Sequence, residues 1–200
     1  MTVTTIDLIR HGEPVGGRKY RGQIDDPLSE KGWKQMRDAV GDHNPWQYII
    51  TSPLARCIEF ARELSERHEL PLTVNEALKE IGFGVWEGKT REQIEVEYPG
   101  ILKSFYSDPV KYQPEGAEPL LDFRQRIATA MQELLANHMG QHVLVVCHAG
   151  VMRMALLHFL GIPLEHVFRI QVGNAGITRF EVEHNNHQQL PRLIFHGGSL

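Results

Sequence analysis

Three apolar stretches of the chain stop abruptly at polar triplets. Residues 4–9 form a short β run that ends at Arg10-His11-Gly12, and residues 48–50 form another that ends at Thr51-Ser52-Pro53. Residues 143–147, a continuous apolar run rich in valine, end at His148-Ala149-Gly150. A run of that kind predicts a strand buried on both faces. Helical patterns lie between these runs. Ser29 with residues 31–40 follows Pro27-Leu28, and residues 54–68 repeat apolar side chains at Leu54, Ile58, Ala61 and Leu64, with Ser52 as N-cap and Pro53 in the first turn. Residues 119–138 carry Leu120, Phe123, Ile127, Met131, Leu134 and Leu135 on one face, and Gly140 is the expected C-cap. The tail alternates Thr178, Phe180 and Val182, turns at His184-Asn185-Asn186-His187 and returns through residues 190–195, which predicts a terminal hairpin.

Strands alternating with helices predict an α/β domain with a largely parallel sheet, whose ligands bind outside the carboxyl ends of the strands. The polar triplets sit at those ends. One domain over residues 1–200 is expected, with residues 82–118, richer in Gly, aromatics and charge, forming a helical excursion over the sheet edge. Composition then excludes several classes. The 200 residues hold 21 Lys and Arg against 25 Asp and Glu, a formal charge of −4 that disfavours a general nucleic-acid binder. Disorder does not fit 42% hydrophobic residues, and no apolar run approaches the roughly 20 residues of a membrane span. The N-terminus has no secretory pattern, so a cytoplasmic protein is expected. Cys57 and Cys147 lie in apolar segments and are read as packing residues. Gly88-Lys89-Thr90 imitates the end of a phosphate-binding P-loop, but Phe83 stands where that pattern needs Gly. Neither H-E-x-x-H nor paired-Cys spacing occurs, and neither a metal nor an organic cofactor is expected.

The strand-end residues carry the chemistry. A His flanked by Arg, with a Gly that lets the backbone approach a ligand, suits a site that holds and attacks a phosphoryl group. Arg56 falls in the first turn of a helix that starts at a strand end, where backbone N–H groups also favour an anion. Glu80 is a carboxyl among apolar and aromatic neighbours, and His148 is a second strand-end His. In this order the four segments, Leu8-Ile9-Arg10-His11-Gly12-Glu13, Thr51-Ser52-Pro53-Leu54-Ala55-Arg56, the stretch around Glu80 and Val146-Cys147-His148-Ala149-Gly150, resemble the histidine phosphatase, or phosphoglycerate mutase-like, superfamily.

The resemblance implies a three-layer α/β/α sandwich with a mostly parallel central sheet. It implies that His11 becomes the phosphohistidine, that Arg10, Arg56 and His148 surround the phosphate, and that Glu80 is the proton donor. Segments such as residues 16–29, Phe83-Gly84-Val85-Trp86-Glu87-Gly88, Phe105-Tyr106-Ser107-Asp108-Pro109 and Pro114-Glu115-Gly116-Ala117-Glu118 look like α-ribazole phosphatases of cobalamin biosynthesis. Gly17 stands where bisphosphoglycerate-dependent mutases typically carry Asn. A phosphoglycerate mutase or a broad-specificity sugar-phosphate phosphatase is the alternative enzyme, and a non-catalytic phosphate-binding regulatory module the alternative of another class. The expected partner is a small phosphorylated metabolite, with a homodimer left open. Glu13 is assigned either to the phosphate pocket or to a loop cap, and Arg18, Lys19 and Arg21 either to ligand attraction or to a solvated loop. Trp86 is read as packing, Glu87 as a surface or supporting carboxylate, and Arg153 as a residue that pairs within its own helix. His158, His166, His184 and His187 are given helix or turn positions without chemistry.

Overall fold

The computed structural model describes residues 2–185 and 188–198. Six strands form one sheet: β1 (Thr2–Arg10), β2 (Tyr48–Thr51), β3 (Leu72–Val74), β4 (His142–Cys147), β5 (Ile177–Asn185) and β6 (Gln188–Gly198). Their order is β3-β2-β4-β1-β5-β6, with β1 parallel to β4, and β2 parallel to both β4 and β3. β5 and β6 run antiparallel at one edge, as the hairpin pattern predicts, while its turn at Asn186-His187 lies outside the described residues. His184 is therefore a strand residue, bonded to Thr4 Oγ1 at 2.8 Å, rather than a turn residue.

Alternation along the central strands sorts their side chains into two cores. Ile6, Leu8, Val143 and Val145 pack against α5 (Leu120–Asn137) and α6 (Ala149–Leu160), whereas Ile9, Leu144 and Val146 face α1 (Glu30–Val40) and α2 (Ala55–His68). The two helical layers make the expected sandwich. Residues 143–147 are fully buried, as a central strand covered on both faces must be.

The helix ends differ from expectation at two places. Ser29 does cap α1, accepting from Gly32 N–H. The N-cap of α2, however, is Leu54 without a side-chain bond of its own; Ser52, two residues earlier, accepts from Leu54 N–H at 3.4 Å and meets His148. α5 ends at His138, two residues before Gly140, whose φ of +78° serves the turn into β4.

Residues 82–118 hold two short helices, α3 (Arg91–Glu97) and α4 (Ile101–Ser107), closed at the neck by a bridge between Phe83 and Ala117. Their own small core contains Trp86, Ile94, Leu102 and Phe105, against which Tyr20 and Phe168 pack. Tyr20, in the loop after β1, and Phe168, before β5, tie the excursion to the rest of the domain. Trp86 is 1% exposed and packs, as expected.

Candidate active site

The parallel strands bring their three terminal triplets together. His11 continues β1 and donates its main-chain N–H to the Cys147 carbonyl at 3.0 Å, which holds the ends of β1 and β4 side by side. The His11 and His148 rings meet edge to face, their centroids 5.2 Å apart. His11 Nδ1 lies 2.7 Å from the Gly12 carbonyl, which can only accept, so Nδ1 carries the proton and Nε2 keeps its lone pair. Burial pushes the His11 pKa well below its usual value, and the neighbouring Arg56 and Arg10 guanidiniums push it further. His148, fully buried, is lowered by burial, by Arg56 and by His11. Both imidazoles are therefore neutral at physiological pH.

Arg10 and Arg56 come to this pair from different layers. Arg56, in the first turn of α2, donates to the Ile24 carbonyl (2.7 Å) and the Gly22 carbonyl (2.8 Å). Arg10, the last residue of β1, donates through Nη1 to the Val172 carbonyl at 2.8 Å. In each guanidinium Nε is buried without a partner. Burial draws the Arg10 pKa down to about 10, opposed by the nearby Glu80 carboxylate. A buried cationic donor left unpaired costs free energy unless a ligand meets it.

Glu80 sits at the first turn of α6. Its carboxylate accepts from Gly150 N–H at 3.2 Å and from Ile81 N–H at 3.0 Å. Gly150 leaves room for this carboxylate, which a Cβ there would displace. Gly12 is required, but for a reason the sequence does not suggest: its Cβ would strike the Gly32 carbonyl of α1, so it serves helix packing instead of ligand approach. The N-terminus of α2 is likewise not open to a ligand at Ala55, whose N–H is taken by Asp25 Oδ1 at 2.6 Å.

The remaining candidates make their contacts elsewhere, although the charges of Arg21 and Arg153 are felt at His11 and Arg10. Glu13 pairs with Lys31 at 2.7 Å, with both side chains exposed. Arg21 is buried, but its donors go to Asp26 and to the Val15 and Gly17 carbonyls, where they hold the loop. Lys19 pairs with Asp26, and Arg18 is exposed. Glu87 accepts from the Gln23 and Phe83 main chains, so it positions the loop that carries Gly22. Arg153 does not pair within α6: its Nε donates to the Ile170 carbonyl and its guanidinium lies over the Phe168 ring, within the field of Glu80.

Sequence reasoning missed two supporting residues. Ser52 Oγ is 2.7 Å from His148 Nε2, and Cys57 Sγ lies 3.7 and 3.9 Å from the two nitrogens of that ring. The position of Ser52 at a strand end was the available signal, and the N-cap reading obscured it. Both cysteines are buried, with thiols that burial raises. Among the described residues, no group of three or more His, Cys, Asp or Glu could hold a metal ion. No described helix is long and apolar enough to cross a membrane.

The fold recurs in known proteins. Phosphoserine phosphatase 1 of Hydrogenobacter thermophilus is 30% identical over 182 residues, 88% of this chain and 85% of that one. A mycobacterial glucosyl-3-phosphoglycerate phosphatase solved in complex with VO3 superposes with a TM-score of 0.86 at 28% identity, over 98% of this chain and 99% of that one. An Escherichia coli structure described as an α-ribazole-5′-P phosphatase candidate gives 0.85 over 98% and 96% of the two chains, but at 24% identity it bears on the fold alone. The family model for the histidine phosphatase superfamily (branch 1) matches residues 6–192, almost the whole sheet and both helical layers, and to that superfamily the chain belongs.

Proposed function

We propose that this phosphatase hydrolyses phosphomonoesters through a covalent phosphohistidine at His11 Nε2. The observation that carries the reading is an unprotonated His11 Nε2 in the field of two guanidiniums, Arg56 buried and Arg10 half-buried, each with a buried Nε that lacks a partner. A phosphoryl group between them satisfies both donors with charge-assisted bonds. In the first step Glu80, which takes up the proton of a substrate that binds as the phosphate monoanion, gives it to the departing alkoxide as His11 Nε2 bonds to phosphorus and the ester P–O bond breaks. Arg10, Arg56 and His148 stabilise the charge on the equatorial oxygens. In the second step water attacks phosphorus, its proton passes to the Glu80 carboxylate, and the P–N bond breaks. Phosphate takes up that proton and leaves as its monoanion, with His11 and Glu80 as they began. Dividing the displacement in this way replaces one high barrier with two lower ones.

For the substrate, α-ribazole 5′-phosphate is the reading that the loop segments support, and the half-buried rings of Tyr20, Phe83 and Phe168 with the exposed Tyr106 suit a flat apolar base. A second reading, a phosphorylated acid, is favoured by Arg153, a largely buried cation near Glu80 and Tyr106. It also fits the names of the relatives, which act on phosphoserine and glucosyl-3-phosphoglycerate. Rapid-quench trapping with phosphorus-labelled p-nitrophenyl phosphate, followed by peptide mapping, tests the intermediate. Acid-labile label on His11 is expected, and label elsewhere, or turnover without any, would overturn it. Comparing kcat/KM for α-ribazole 5′-phosphate, phosphoserine and 3-phosphoglycerate then decides between the leaving groups.

A further inference from the structure

The wall of the site behind Arg10 is an irregular segment, residues 170–176, between a 3-10 turn (Leu164–Arg169) and β5. It is tied to the ends of the catalytic strand: Arg10 N–H donates to the Gly176 carbonyl at 3.1 Å and Ala175 N–H to the His11 carbonyl at 3.4 Å. Three successive carbonyls of the segment are held by side chains from three different elements. Arg153 of α6 takes Ile170 at 2.9 Å, His196 of β6 takes Gln171 at 2.7 Å, and Arg10 takes Val172 at 2.8 Å. The second of these has no connection to the family motifs. His196 Nε2 faces a carbonyl, so it is the donor, and its Nδ1 is hydrogen-bonded to Thr178 Oγ1 of β5 at 2.7 Å. The ring thus bridges the outer edge of the sheet to the middle of the wall.

We propose that His196 is a positioning residue for the phosphate site, acting through Gln171 and Val172 on the guanidinium of Arg10. The Val172 carbonyl is the one acceptor that fixes Arg10 among the described residues, because its Nε is buried without a partner and Nη1 is bonded there. Where that carbonyl sits decides where the guanidinium points. Residues 171–173 belong to no helix or strand, so side-chain anchors do the work that a ladder does elsewhere. Without His196 the Gln171 carbonyl loses its donor, and its neighbour Val172 gains freedom to carry Arg10 off its line to the phosphate. Small displacements of a positioned group have large effects on rate, since the catalytic advantage lies in geometry fixed before reaction.

The inference rests on the reading of Arg10 as a phosphate ligand, and substitutions in the 200-residue chain separate the two. His196→Asn retains a group at the Nδ1 position, near Thr178, but cannot reach Gln171, whereas His196→Gln places an amide N–H near the position of Nε2. Expected for His196→Asn is a loss of about 10- to 100-fold in kcat/KM for p-nitrophenyl phosphate, the usual range for supporting partners of a preorganised site. Vanadate inhibition should weaken by a similar factor, thermal melting should change little, and His196→Gln should recover most of the loss. In an Arg10→Ala background the Asn substitution should have no further effect on residual turnover, because the two act in series. Thr178→Val, which removes the other bond of the ring, should give a smaller loss of the same kind, again absent when Arg10 is gone. Losses that add in full to that of Arg10→Ala, or an Asn variant with wild-type kcat/KM and vanadate inhibition, would overturn the inference alone. Wild-type turnover by Arg10→Ala itself would overturn the reading beneath it.

Discussion

Strand β1 presents two charged groups three residues apart, Asp7 buried and Arg10 half-buried with its Nε out of solvent, and they are treated in opposite ways. Asp7, fully buried, receives Trp46 Nε1 (2.8 Å), His142 Nε2 (2.8 Å) and both Nε and Nη2 of Arg179 (2.7 and 2.9 Å). Its carboxylate is satisfied within the protein. Arg10, at the end of the same strand, and Arg56 beside it hold main-chain carbonyls with part of each guanidinium and leave Nε buried and unmatched. Burial alone would raise the Asp7 pKa, yet the bonds from Arg179, His142 and Trp46 prevail and bring it to about 2. Nothing offsets burial in the same measure at Arg10, where it dominates. A closed network of this kind stabilises a fold, whereas an open one is a site waiting for a ligand.

The most severe way to break this contrast is to remove the nucleophile. His11→Ala should abolish acid-labile phosphorylation and lower turnover by about 10⁴-fold or more, the scale on which loss of a covalent nucleophile acts. Because the pair of guanidiniums remains, vanadate or phosphate should still raise the melting temperature. A variant that forms phosphoenzyme at the normal rate would reject His11.

The next largest effect separates two carboxylates of one segment. An alkyl phosphate leaves as a basic alkoxide and needs a proton, whereas p-nitrophenolate departs largely unaided. Glu80→Gln should therefore slow phosphoenzyme formation from α-ribazole 5′-phosphate or phosphoserine by about 10²–10⁴-fold, with a far smaller effect on p-nitrophenyl phosphate. Glu87→Gln, which loosens only the loop around Gly22 and Gln23, should slow both substrates alike. Single-turnover rates are the measure, and equal slowing of both substrates by Glu80→Gln would remove its assignment.

Asp7→Asn tests the closed network. It leaves Arg179 without its anion and weakens the acceptor for His142 and Trp46, and the loss should be about 3 kcal/mol, the lower end for a broken buried pair because Arg179 is partly solvated. Its folded pKa lies below the unfolded value, so its stabilisation is complete above about pH 4 and fades as pH falls through about 2. Denaturant melts should show that acid dependence in the wild type and much less of it in the variant, with kcat of the folded variant unchanged. A variant as stable as the wild type at pH 7 would refute this account of Asp7.

The open site was far more legible in the sequence than the closed network. Arg10, His11 and His148 end apolar runs, and helical spacing located α1, α2 and α5 to within one or two residues. Strand β3 escaped because three residues at an edge, Leu72–Val74, carry no period. Asp7 escaped because its partner Arg179 lies 172 positions away and joins it only when β5 pairs with β1. Gly12 was visible, but its purpose depends on the approach of α1, which no local pattern encodes. Motifs at strand ends are local, whereas the side chains that steady them, Ser52, Arg153 and His196, come from the tertiary fold.

The smallest expected effect sharpens the comparison at the imidazoles. His11 and His148 are held neutral first by burial and then by positive neighbours, above all Arg56. Their folded pKa values lie below the unfolded ones, so the stability they contribute is whole above about pH 6.5 and declines as pH falls toward those folded values, because the unfolded chain then takes up protons that the native site refuses. For catalysis the consequence is that nucleophilic His11 persists in mild acid. Between pH 7 and about 5.5, phosphoenzyme formation from p-nitrophenyl phosphate should change little on account of His11, although an ordinary imidazole would lose most of its free base over that range. Nitrogen-15 shifts of the His11 ring should likewise stay at their neutral values. Arg56→Met removes the larger of the two nearby charges while burial remains, so the onset of His11 protonation should move upward without reaching the value of an exposed imidazole. A His11 ring that titrates in the wild type with a midpoint near 6.5 would mean that water reaches the site freely, and the open, unpaired guanidiniums would then be solvated rather than poised for phosphate.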